Sequence, residues 1–140
     1  MGFEVETRTV AGASTAVGAA GPYTLVVDRP AGAGGRGLGF NGGQLLYLAV
    51  AGCVSNDLFR EADAAGIPLH RVVVRVSGDF GGDPAVSTPI AYTVELAGDA
   101  PEERLRELVA HVDRIAEIPN SLRGGTPVRM EAATVRSASA

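Results

Sequence analysis

The chain has 140 residues, 46% of them hydrophobic, with a net charge of −4 and a pI near 5.1; its cations are all arginine. The length suits one domain with a real core, residues 1–140, and the hydrophobic content excludes a disordered chain. An acidic chain with scattered arginines has no basic face for phosphates, which argues against a nucleic-acid partner. A single cysteine, Cys53, rules out a disulfide within the chain. The first six residues have neither a basic segment nor an apolar run, so no signal peptide and a cytoplasmic location are expected. The longest apolar run, residues 45–54, is far short of the roughly 20 residues that a membrane span needs. No membrane partner is expected.

Residues 3–10 alternate: Phe3, Val5, Thr7 and Thr9 on one face, Glu4, Glu6 and Arg8 on the other. This period of two predicts a half-buried strand. Residues 14–19 predict a second strand after the Ala11-Gly12 turn. Gly21-Pro22 turns the chain into a third, at residues 23–28, and the three make an antiparallel meander. Residues 30–43 form a glycine-rich loop. Gly32-Ala33-Gly34-Gly35-Arg36-Gly37 matches the dinucleotide pattern G-x-G-x-x-G in letters only. The pattern works at a strand-to-helix turn, and Pro30-Ala31 separates these glycines from the strand. A flexible loop is the better reading.

Residues 44–65 predict one long helix, closed by Gly66-Ile67-Pro68. Its first half, residues 45–54, is apolar on every side, and such a helix must be covered on every side. One chain of this size lacks the strands to do so, which points to a partner subunit. Residues 71–80 and 89–97 alternate as strands around the break at Gly81-Gly82-Asp83-Pro84. A second helix is expected to begin at Asp99, with Glu102 completing a capping box. Leu105, Leu108, Val109, Val112, Ile115 and Ala116 form its apolar stripe. Residues 119–125 read as a turn or one short helical turn, residues 128–135 as a last strand, and residues 137–140 as a frayed tail. The order is βββ-α-ββ-α-β, an α+β fold with an antiparallel sheet around a long central helix.

Few side chains offer chemistry. Neither His70 nor His111 has a ligand-type neighbour three or four residues further along the chain, so no metal site and no cofactor are expected. His111 lies on the polar face of its helix and reads as a solvated surface residue; His70 reads as an exposed strand edge. Cys53 is different. A free cysteine is most often a small buried hydrophobe. This one lies where the all-apolar half of the helix gives way to Ser55-Asn56-Asp57, after the small residues Ala49, Ala51 and Gly52 that let a substrate or another backbone approach.

The segment Gly39-Phe40-Asn41-Gly42-Gly43-Gln44-Leu45-Leu46, leading into Ala51-Gly52-Cys53, resembles the OsmC/Ohr family (osmotically inducible and organic hydroperoxide resistance proteins). There, an N-P-E-Q-L type start precedes a helix that ends in A-x-C. Ala64-Ala65-Gly66-Ile67-Pro68-Leu69 is similar to the family's next segment, and Asn120-Ser121-Leu122-Arg123-Gly124-Gly125-Thr126-Pro127-Val128 to its C-terminal motif. The resemblance covers residues 3–135. It implies an intertwined homodimer and thiol-based reduction of organic hydroperoxides. Cys53 matches the attacking cysteine. The family's activating glutamate falls on Gly43, and its resolving cysteine on Ala116 or Ile118. Its arginine falls in the stretch Ala11-Gly12-Ala13, so Arg36 or Arg8 would have to substitute.

Two functions remain open on this reading. One is a one-cysteine thiol protein in which Cys53 reduces an organic hydroperoxide and an external thiol regenerates it. The other is a non-catalytic homodimer that binds a small hydrophobic ligand. An arginine guanidinium within hydrogen-bond reach of Cys53 would favour the first.

Overall fold

In a computed structural model, which describes residues 2–138, the strands are β1 (Glu6–Thr9), β2 (Ala16–Ala20), β3 (Tyr23–Val27), β4 (Leu69–Ser77), β5 (Phe80–Gly81), β6 (Val86–Ser87) and β7 (Ala91–Gly98). The helices are α1 (Gly42–Ala64), between β3 and β4, and α2 (Glu102–Ile115) and α3 (Glu117–Arg123), which follow β7. The named strands pair antiparallel in three groups, β1-β2-β3, β4-β7 and β5-β6. The α+β class expected from the sequence is the class observed. Among the described residues no helix is long and apolar enough to cross a membrane.

The central helix begins two residues earlier than the sequence pattern predicts, because Asn41 caps it. Asn41 Oδ1 accepts the Gln44 amide at 2.9 Å, and Gln44 Oε1 accepts the Asn41 amide at 3.0 Å. This reciprocal box satisfies two donors that a helix start would otherwise leave orphaned. At the other end Gly66 takes a φ of +68°, and the Ile67 amide reaches back to the Ala62 carbonyl at 2.8 Å. Between the caps nothing breaks the helix. Val50, Val54, Leu58 and Ala62, four residues apart, form its buried stripe. Val54, Leu58 and Ala62 pack with Leu108, Val112 and Ala116 of α2 and the residue after it, and with Ile67.

The apolar face of the β4–β7 pair closes this core. Val72 lies opposite Leu96, Val74 opposite Val94 and Val76 opposite Tyr92. On the outer face Arg71 and Arg75 both approach Glu95, at 3.5 and 3.4 Å. The hairpin thus follows the alternation in its sequence, polar out and apolar in.

Three expectations about secondary structure need correction. α2 does not begin at Asp99. Pro101 precedes its first residue, Glu102, and the Asp99 carboxylate bonds His70 Nε2 at 2.7 Å instead of capping the helix. Residues 119–125 are more than a turn, since α3 starts at Glu117 and carries Pro119 in its first turn, where a missing N–H costs nothing. Residues 128–135 form no strand in the single chain and are exposed throughout. A strand needs a neighbour to receive its amides, and none of the described strands pairs with this segment. As expected from the sequence for a single chain, α1 is covered on one side only: Leu48, Ala49, Gly52, Asn56 and Phe59 are exposed on the opposite face. Of the tail expected at residues 137–140, the last two lie outside the described residues.

The glycine-rich segment is an ordered loop built on one buried carboxylate. Asp28 accepts the amides of Arg29 at 2.8 Å and of Arg36 and Leu38 at 3.2 Å, and the Thr15 hydroxyl at 3.1 Å. The glycines allow the loop to fold back on β3. A Cβ on Gly35 would collide with the Arg29 carbonyl, and one on Gly39 with the Val26 carbonyl. Burial pushes the Asp28 pKa up, but its four donors outweigh burial and hold it below the ordinary value. A depressed carboxylate stabilises the fold above its unfolded pKa of about 4 and loses that contribution as pH falls through the lower folded value. Asp28→Asn is expected to lower the thermal midpoint at neutral pH by several degrees. It should also remove part of the acid-induced loss that wild type shows. Melting curves from neutral pH to about pH 2 check this, and parallel pH profiles for both proteins would refute it.

Candidate functional site

Cys53 is a free thiol, partly exposed, and packed against the core. Leu46, Val50 and Cys53 are spaced four and three residues apart, so they share one stripe of α1. Leu46 and Val50 line a cavity of about 450 Å³ whose other walls include Ile90, Tyr92, Pro119, Leu122 and Arg123. Cys53 therefore sits one helical turn beyond an apolar cavity of small-molecule size.

The arginines named from sequence do not hold the thiol within one chain. Arg8 lies exposed on β1 and pairs with Glu6 at 3.1 Å. Arg36 is exposed on the loop, where its backbone amide, not its guanidinium, is engaged with Asp28. Among the described residues no hydrogen bond joins either guanidinium to Cys53. Position 43, where the family places its acid, is ten residues from Cys53 on one helix, about 15 Å along the axis. A side chain there cannot reach the thiol of its own chain.

Gly43 is also blocked. Phe80 stacks on Tyr47 with ring centroids 5.7 Å apart, and a Cβ on Gly43 would meet Phe80 Cε2 at 2.7 Å. The ring occupies the space that the family's side chain would need. In Gly43→Ala, the gain in helix propensity of about 1 kcal/mol is then offset by disturbing a ring pair worth about 0.5–1.5 kcal/mol. In a Phe80→Ala background the gain should appear in full. Urea denaturation of the four proteins is expected to show a coupling of about 1 kcal/mol, and additivity would show that the ring is not the obstacle.

The positions matched to the resolving cysteine differ in setting. Ala116 is fully buried at the junction of α2 and α3, and Ile118 is exposed. Neither carries sulfur. His70 is exposed and paired with Asp99, as an edge residue. His111 is less solvated than its place on the polar face suggested: its Nε2 meets Glu61 Oε1 at 2.8 Å and ties α2 to α1. That bond is the main reason the Glu61 carboxyl lies below its ordinary pKa. Among the described residues no three His, Cys, Asp or Glu side chains gather as a metal site.

Two polar groups, one in the cavity wall and one beyond Cys53 on α1, were not singled out from the sequence. The first is the cluster Tyr92, Asp113 and Arg123. Asp113 Oδ1 accepts both the Tyr92 hydroxyl and Arg123 Nη2, the latter at 2.8 Å. Burial, then the neighbouring carboxylate, pushes the Tyr92 hydroxyl up to about 12. The Tyr92 hydroxyl, followed by Arg123, holds the Asp113 carboxyl below its usual value. Arg123 also donates to the Asp113 carbonyl and to Asn120 Oδ1, both at 2.9 Å, which anchors α3 to α2 beside the cavity. The second is Asp57, a buried carboxylate one turn past Cys53. Its spacing of four from the cysteine was legible; its burial was not.

The sequence matches the OsmC-like protein family over residues 34–131. No curated protein sequence matches it. Among solved structures, the chain resembles an OsmC-like protein of Mycoplasma pneumoniae (TM-score 0.75, 18% identity, covering 89% of each chain). It also resembles an organic hydroperoxide resistance protein of Legionella pneumophila (TM-score 0.64, 17% identity, 89% and 90% covered). A third similar structure is the organic hydroperoxide resistance protein OhrB of Bacillus subtilis (TM-score 0.60, 20% identity, 89% and 92% covered).

Proposed function

The chain belongs to the OsmC-like protein family, and from that membership we propose that it is a one-cysteine thiol protein that reduces organic hydroperoxides in the oxidative-stress response. The observation that carries this reading is the position of Cys53, partly exposed and on one stripe with the two residues that α1 contributes to the apolar cavity. An apolar hydroperoxide fits such a cavity, with its peroxide end toward the thiol. Two structural relatives are named for resistance to organic hydroperoxides. With no second cysteine, the oxidised sulfur is resolved by an external thiol of the cytoplasm. The test is a peroxide-consumption assay comparing monothiol and dithiol reductants. Turnover should require an added thiol and be slow, and no consumption with either reductant rejects the proposal.

The working unit of this proposal is a homodimer. Leu48 and Phe59 are each about half exposed on the open face of α1, and Tyr23, Leu25 and Val26 are exposed on the N-terminal sheet. A second copy covers these faces and gives residues 128–135 a strand partner. It also brings another chain's loop toward Cys53, which is how Arg36 would supply the activating guanidinium. The expected interface exceeds about 2,000 Å², in the obligate class. Light scattering at micromolar concentration should give twice the chain mass of 14.3 kDa, and Leu48→Glu should abolish the dimer. A stable wild-type monomer would refute this assembly.

A second reading rests on a different cavity. Val5, Gly18, Ala19, Leu25, Val27 and Leu45 enclose about 480 Å³ of mainly apolar space under the N-terminal sheet. A non-catalytic binder of small hydrophobic molecules would use it. Binding of an apolar fluorescent probe, unchanged by Cys53→Ser and lost in Leu25→Asp, would favour this reading over the first.

A further inference from the structure

The most unusual polar group in the core is Asp57. Its side chain is only 10% exposed. One oxygen, Oδ1, meets Arg60 Nη1 at 3.3 Å; the other, Oδ2, is buried without a hydrogen-bond partner among the described residues. A buried carboxylate oxygen left unpaired is costly, and native proteins keep few of them. The nearby charges are already committed: Arg60 also contacts Glu61, and Glu61 bonds His111. Oδ2 is thus an acceptor with nothing to accept.

Its place on the helix gives it a use. Asp57 is four residues beyond Cys53 on the unbroken α1. Residues so spaced stand on one face with Cβ atoms about 6 Å apart. Helical side chains lean toward the N-terminus, which from Asp57 is the direction of the turn that carries Cys53. Leu46, Val50, Cys53 and Asp57 therefore form one continuous stripe, running from the apolar cavity to the thiol to the unpaired acceptor. Position 43 holds glycine and supplies no acid, whereas Asp57 is on the same helix face as Cys53.

We infer that Asp57 is the acid–base partner of Cys53, taking the thiol proton on Oδ2 and returning it to the leaving alkoxide. This rests on the reading of Cys53 as the peroxide-reactive thiol. The thiol proton moves to Asp57, and the sulfur electron pair forms a bond to the terminal peroxide oxygen. The O–O bond breaks, and its electron pair leaves on the alkoxide, which takes the proton from Asp57 to become an alcohol. Cys53 is oxidised by two electrons to sulfenic acid, the hydroperoxide is reduced by two, and Asp57 is again a carboxylate.

The test compares two reactions of Cys53 in wild type and Asp57→Asn. Cumene hydroperoxide, with dimedone trapping and intact mass, reads oxidation; iodoacetamide reads alkylation, whose leaving iodide needs no proton. Asp57→Asn is expected to lower the ratio of oxidation to alkylation rate about 100-fold, in the range of general acid–base catalysis. A ratio unchanged from wild type, with wild-type Cys53 oxidised, overturns the role of Asp57 alone. Wild-type Cys53 left unmodified by cumene hydroperoxide overturns the thiol reading and this inference together. Should Asp57→Asn fail to fold, the wild type decides. Across peroxides with increasingly basic leaving groups, from peracetic acid to alkyl hydroperoxides, its rate should fall less steeply than that of glutathione. An equally steep fall rejects the inference.

Discussion

Cys53→Ser is expected to reduce hydroperoxide consumption to background. Cys53 is the only thiol in the chain, and a serine hydroxyl at neutral pH neither attacks peroxide nor becomes a sulfenic acid. In wild type, peroxide should add one oxygen at Cys53. With no second cysteine, the sulfenic acid cannot close a disulfide within the chain. It waits for an external thiol, forms a mixed disulfide and is reduced by another thiol. Excess peroxide without thiol should drive it to the sulfinic acid, and activity should then be lost for good. Peptide mass mapping before and after treatment follows each state of Cys53 apart from oxygen added at the exposed Met130. Fast multiple turnover by Cys53→Ser would place the chemistry on some other group.

Leu58→Ala is expected to cost about 2–5 kcal/mol, the range for deleting a fully buried leucine side chain. Leu58 is 0% exposed, among the largest fully buried side chains, and sits in one cluster with Val54, Ala62, Val112 and Ala116. Neighbours on α1, α2 and the β4–β7 pair surround the site, and the cavity left by truncation has little room to collapse. Domains of this kind hold only about 5–15 kcal/mol in all, so the loss is a large share, roughly 10 °C in the melting midpoint. Leu48→Ala, on the opposite face of the same helix, is the informative contrast. Leu48 is 50% exposed in the single chain. Its truncation should matter little to a monomer and substantially to a dimer, and the effect should then depend on protein concentration. Urea denaturation at two concentrations separates the cases. A small effect of Leu58→Ala would mean that the α1–α2 core is not packed as described.

Much of the candidate site was legible before the fold was known. The unbroken apolar run pointed to a long helix, its Gly-Ile-Pro exit marked the end, and the lone cysteine stood where the run turns polar. Other features misled for identifiable reasons. Asp99 and Glu102 have the spacing of a capping box, but Pro101 sets the helix start after Asp99, and His70, distant in sequence, takes the carboxylate. The real box, Asn41 with Gln44, was present in the letters and hidden by the two glycines between them.

Local order and periodicity are properties of neighbours along the chain, so the sequence alone determined the α+β class, the alternation of β4 and β7, and the stripe that faces the core of α2. It also determined that Cys53 has no cysteine to pair with. Tertiary structure decided what depends on residues far apart meeting. It put Phe80 into the space beside Gly43, closed the glycine loop on Asp28, and left Asp57 Oδ2 buried with no partner among the described residues, one turn from Cys53. It also decided which side of an all-apolar helix its own chain covers. The cover comes from β4, β7 and α2, whose final positions no local pattern encodes, and the residues they leave bare are those of the Leu48–Phe59 face.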